Sequence, residues 1–150
     1  MKRLWWLMMV IGMFACDTAE QSDIPYSNVY FKVDLRFEDK VLNAQLASKV
    51  FTTPRYAGEA MGYSGILVVH GLNDIFYAYE QSCPYEAKRD IRIEVDSSGL
   101  YAICPQCLSK FAIADGGYPI EGPALHYRHL LRTCNVHPNG NELIIEGYSN

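Results

Sequence analysis

Residues 83–107 read CPYEAKRDIRIEVDSSGLYAICPQC: a Cys-Pro pair at Cys83 and Pro84, a β-rich stretch, and a second Cys-Pro pair at Cys104 and Pro105 followed by Gln106 and Cys107. Between the two pairs, Ile91–Val95 and Leu100–Ile103 have strand composition. Asp96, Ser97, Ser98 and Gly99 supply turn chemistry between them, so the segment reads as a hairpin that runs directly into Cys104. The same arrangement stands upstream. Ile66–His70 and Ile75–Tyr79, joined by Gly71, Leu72, Asn73 and Asp74, read as a hairpin that runs into Cys83.

Working outward, Phe111–Ala114 reads as a strand before Asp115, Gly116 and Gly117. A third hairpin is expected at the end of the chain, with arms at Tyr127–Val136 and Glu142–Ile145 and Pro138, Asn139, Gly140 and Asn141 as its turn. Toward the N-terminus, Val29, Phe31, Val33 and Leu35 alternate with Tyr30, Lys32, Asp34 and Arg36, the period of a strand buried on one face. Phe37–Gly65 is mixed, with Pro54, Gly58 and Gly62, and reads as irregular chain with short strands. Many short strands, turn residues between them and no long helical period predict an all-β fold, an antiparallel sandwich.

The chain has 150 residues, 49% of them hydrophobic and 20% charged, which suits one domain with a buried core. Its formal net charge is −4 and no Lys/Arg stripe is present, so a nucleic-acid partner has no electrostatic support. No nucleophile–base–acid pattern or Gly-rich phosphate loop marks a hydrolase or transferase, and Asp74, Glu86, Asp90 and Glu94 read as turn and solvent-face residues.

Lys2 and Arg3 precede an apolar stretch, Leu4–Phe14, and then Ala15 and Cys16. The stretch is shorter than the ~17–25 residues of a spanning helix and has the layout of a secretory signal. A Cys directly after Ala resembles a bacterial lipobox, although Met13 and Phe14 are unusual before it. The expected division is a signal peptide at 1–15, a lipidated Cys16 with a polar tether through Ser27, and a folded domain from 28 to 150. The protein would then lie in the cell envelope, facing the periplasm or the cell surface and held to the membrane by the lipid on Cys16.

The two Cys loops resemble those of the Rieske family, in which a C-P-H loop and a C-P-x-H loop, separated by a hairpin, each give one Cys and one His to a [2Fe–2S] cluster. The resemblance extends over Gly65–Gly147: the strand pair Ile66–Tyr79, Phe111 after the second loop, the glycine turn at Asp115, Gly116 and Gly117, and a G-P-A loop at Gly122, Pro123 and Ala124. It implies a base subdomain and a small cap made of the hairpins that end at Cys83 and Cys104. It also implies electron transfer or redox sensing, with an envelope redox protein as partner. Three positions depart from the pattern. Tyr85 and Cys107 stand where the family has its histidines, and Leu108 where it usually has Gly. The high potential conferred by two neutral imidazoles is therefore not expected.

Three readings of the site follow from the resemblance. Cys83, Cys104 and Cys107, with Tyr85 or an outside group as fourth ligand, would hold a remodelled [2Fe–2S] cluster. Alternatively the same thiols would hold Zn²⁺. Otherwise no metal is bound, and the protein is a binding or structural module stapled by a Cys83–Cys104 disulfide, with Cys104–Cys107 as the rival pair. Export bears on the choice, because without a twin-arginine motif the chain crosses the membrane unfolded and a cluster made beforehand would be lost. Tyr85 is either a ligand or a ring that fills the space of the missing imidazole. Cys134 reads as a half-buried strand residue that becomes a fourth sulfur only if its strand passes under the loops. His126 and His129 are an odd spacing apart, so in a strand they would face opposite sides and could not chelate one ion together; His137 and His70 are likewise not expected as ligands.

Overall fold

The alternation at the N-terminal end forms a strand as expected. In β1 (Val29–Asp34), Val29, Phe31 and Val33 are buried, and Tyr30 and Lys32 are exposed. The computed structural model describes residues 23–149, so the expected signal segment and Cys16 lie outside the described residues. Among the described residues no helix is long and apolar enough to cross a membrane.

Two antiparallel sheets make up the described chain. The larger contains β1 with β2 (Ser48–Phe51), β3 (Ala60–Met61), β4 (Ile66–His70), β5 (Phe76–Glu80), β10 (Thr133–Asn139) and β11 (Glu142–Tyr148), in the order β2-β4-β5-β10-β11-β1-β3. The smaller is a four-stranded meander of β6 (Glu94–Val95), β7 (Tyr101–Ile103), β8 (Lys110–Ala112) and β9 (Tyr118–Glu121). This is the all-β architecture expected, with a large sheet and a small sheet that carries the second Cys loop.

Strand β4 joins the two parts because it is buried on both faces. Ile66 and Val68, with Ala78 of β5, belong to one core with Phe31, Val33, Leu42, Leu143 and Ile145. Leu67, Val69 and Tyr79 belong to a second core with Ile93, Ala102, Phe111, Ile113, Leu131, Cys83 and Cys104. A strand covered on both sides reads as a continuous apolar run rather than an alternation, which is what Ile66-Leu67-Val68-Val69 is. Tyr79 also ties the parts together through its hydroxyl, which donates to the Ile113 carbonyl at 2.9 Å.

The expected strand arm at Tyr127–Val136 is corrected. Pro123 opens a short helix, α1 (Pro123–His126), and Arg128 has a φ of 57°, so the chain turns before β10 begins at Thr133. The histidines at 126 and 129 therefore lie on a helix end and in a turn, and the argument from opposite strand faces does not apply to them. In the hairpin before Cys104, pairing is confined to Glu94 with Ile103 and Val95 with Ala102, while Arg92 forms an isolated bridge with Ser82. Pro138 falls within β10 rather than in the turn, opposite Leu143, beyond the Thr133–Cys134 pair that β10 makes with β5. A proline is tolerated there because its missing N–H faces no neighbour strand.

At the end of the larger sheet away from the Cys loops, the side chain of Asp39 is fully buried. It accepts hydrogen bonds from Lys49 Nζ at 2.6 Å, from Arg55 Nη1 at 3.1 Å and from the Asp34 amide at 2.9 Å. Burial alone would raise its pKa; the bonds from Lys49, the Asp34 amide and Arg55 outweigh it and hold the carboxyl below its ordinary value.

Candidate metal centre

Each Cys-Pro loop is the same small turn. The Cys83 carbonyl accepts the Ala87 amide at 2.9 Å, and the Cys104 carbonyl accepts the Leu108 amide at 3.0 Å. The residue that closes each turn has positive φ, 50° at Ala87 and 60° at Leu108. Pro84 and Pro105 preset the second position of each turn. The Cys83 amide is held by the Ile91 carbonyl at 3.0 Å and the Cys104 amide by the Ser109 carbonyl at 2.9 Å, so each loop is pinned at its entrance.

These two turns bring three sulfurs together. The Sγ atoms of Cys83, Cys104 and Cys107 all lie within 4.8 Å of one another, and Cys83 Sγ is 3.7 Å from Cys107 Sγ. Cys83 and Cys104 are fully buried and Cys107 is half-buried; all three are free thiols. Burial pushes the Cys83 thiol well up, against the pull of the Glu86 and Tyr85 amides, which donate to its sulfur. Burial likewise raises Cys104, against the amides of Cys107 and Gln106. Each loop thus aims backbone N–H groups at its own sulfur, an arrangement that favours a thiolate once a cation is present to offset desolvation.

A third loop buttresses the second turn. Cys107 Sγ donates to Ser109 Oγ at 3.2 Å, and Ser109 Oγ accepts the Ala124 amide at 3.0 Å. Gly122, at φ +82°, lies so close that a Cβ there would stand 2.7 Å from Ser109 Cα. The G-P-A segment singled out in the sequence therefore packs directly on the second Cys loop.

Tyr85 and Cys134, the other candidates, make contacts of their own. The Tyr85 ring stacks on Tyr127 with centroids 5.7 Å apart and meets His129 edge-on at 6.2 Å. Both are packing contacts of the ring. Tyr127 and His129 come beside the first Cys loop through the turn after α1, and no local signal in the sequence marks that approach. Cys134 is buried in the core of the larger sheet, next to Glu80 and away from the three-sulfur group. Among the described residues, the three thiols are joined by no His, Asp, Glu or further Cys.

A Rieske-type [2Fe–2S] cluster requires its ligands in two pairs, one on each iron, with two imidazoles in one pair. The three sulfurs here form one group with no imidazole in it, and the chain does not fit that ligand set.

No family model matches the chain, and no curated protein matches it. Among solved structures, a chain described as "Complex of reduced oxygenase and oxidized ferredoxin in carbazole 1,9a-dioxygenase" is similar to it, with a TM-score of 0.49 and 17% sequence identity over 81% of this chain and 96% of that chain.

Proposed function

We propose that this protein is a lipid-anchored component of the cell envelope that binds metal at Cys83, Cys104 and Cys107 and uses the centre for electron transfer or redox sensing. The observation that carries the reading is the grouping of three thiols within 4.8 Å, two of them fully buried, on two matching turns. Buried thiols without a cation would need no N–H groups aimed at their sulfurs, whereas metal thiolates use such donors to hold charge. Attachment would run through Cys16, and the partner would be another envelope redox protein.

The test is to isolate the full chain without oxygen from the membrane fraction, measure bound metal and count thiols. Stoichiometric metal, lost on Cys104→Ser, is expected. A metal-free chain with a Cys83–Cys104 disulfide would reject the reading in favour of a stapled binding or structural module.

A further inference from the structure

We infer that the three thiols hold a single thiophilic ion, zinc or iron, whose fourth coordination position opens toward solvent beside Cys107. This rests on the metal-binding reading above and narrows it. Thiolates around one tetrahedral ion with metal–sulfur bonds of about 2.3 Å stand about 3.8 Å apart. The Cys83–Cys107 pair is at 3.7 Å, and all three sulfurs lie within 4.8 Å of one another. A two-iron centre takes two protein ligands on each iron, so at least one of the three sulfurs would stand on the second iron, across the width of the cluster from the others. The mutual approach of all three sulfurs within 4.8 Å is what suits one ion.

Burial sets the direction of the open position. Cys83 and Cys104 are closed off by the second core, while Cys107 retains access to solvent. With no His, Asp, Glu or further Cys joining the group among the described residues, and with the Tyr85 ring engaged by Tyr127 and His129, the fourth position falls to water or a group from a partner. Three protein ligands plus an exchangeable fourth is the arrangement of an open rather than a structural site. It allows the ion to be exchanged, or a partner's donor to complete the shell.

Zinc and iron share this thiolate chemistry, and they divide the proposed function. A single iron carries an electron itself. A zinc centre responds to oxidants only through its thiolates, which leave the ion as they oxidise.

The experiment uses the full chain in detergent, reduced and without oxygen. Metal and sulfide content are measured as isolated; the chain is then stripped and titrated with Co²⁺ while absorption is followed. One zinc or one iron per chain without sulfide, and saturation at one Co²⁺ with thiolate charge-transfer and tetrahedral bands, are expected. Cys107→Ser, at a half-exposed position, is expected to weaken Co²⁺ binding by at least about 100-fold, the upper range for loss of an outer-sphere partner. Cys134→Ser is expected to leave binding unchanged. Two irons with equal sulfide would overturn the single-ion inference and leave a metal centre standing. A chain that binds neither Co²⁺ nor any native metal while its thiols remain reduced would overturn both.

Discussion

Asp39 and Cys83 are both fully buried, and their environments act in opposite senses. At Asp39 the donors from Lys49, Asp34 and Arg55 outweigh burial and depress the carboxyl pKa. At Cys83 burial outweighs two amide donors and raises the thiol. A reactive thiol of an exchange enzyme needs a depressed pKa and exposure. Cys83 and Cys104 have neither, so neither is placed to act as the attacking thiol of such an exchange. The carboxyl gives a pH prediction. A group whose folded pKa lies below its unfolded value of about 3.9 stabilises the fold above that pH, and the contribution is lost as pH falls through the folded value. Asp39→Asn is expected to cost about 1.5–3 kcal/mol at neutral pH, the range for hydrogen bonds to a charged group. In urea unfolding, the gap between the two proteins is expected to narrow as pH falls below about 4. A gap that stays constant into acid would show that the charge on Asp39 contributes nothing.

At the scale of single elements, the two Cys turns share the Cys-Pro pair and the closing hydrogen bond and differ in the three residues that follow, Tyr85, Glu86 and Ala87 in one and Gln106, Cys107 and Leu108 in the other. Leu108 has a φ of 60° and is 69% exposed, so its side chain is strained without much burial to offset the strain. Leu108→Gly is expected to stabilise the metal-free protein by about 1 kcal/mol, the cost of left-handed backbone at a residue with a Cβ. Urea midpoints would show it, and a loss of stability would mean that the Leu108 side chain packs on something. The hairpins before Cys83 and Cys104 were legible in the sequence, since Gly71–Asp74 and Asp96–Gly99 announce their turns locally. What was not legible depends on distant partners. The expected strand arm began at Tyr127, whereas a short helix at Pro123–His126 and a turn after it delay the strand to Thr133, and the approach of Tyr127 and His129 to Tyr85 comes from how that turn packs. Cys83, Cys104 and Cys107 could be named from their loops alone; that all three sulfurs lie within 4.8 Å of one another required the fold.

Over the whole molecule, the two cores share β4 and β5 but differ in what lies beyond them. The core of the larger sheet is closed by β1, β10 and β11, which pair with one another over long registers. The second core is closed by short strands and by the Cys loops themselves, so its far wall is built from Cys83 and Cys104. An ion bound there would bridge the loop after β5 to the loop after β7 and act as a clasp on the small sheet. Binding only the folded form adds about 2.7 kcal/mol when free ion stands at 100 times its dissociation constant. That gain is expected to fall mainly on the small sheet, because opening it separates the ligands, whereas β1 and β11 can fray without disturbing them. Hydrogen exchange with Zn²⁺ present and after chelation would locate it. Slower exchange is expected at the Ala87 and Leu108 amides, which close the two turns, and through β7 and β8, with little change at the β1–β11 ladder. Equal slowing everywhere would mean that the two cores open as one unit, and the ion would then stabilise the fold as a whole rather than its cap.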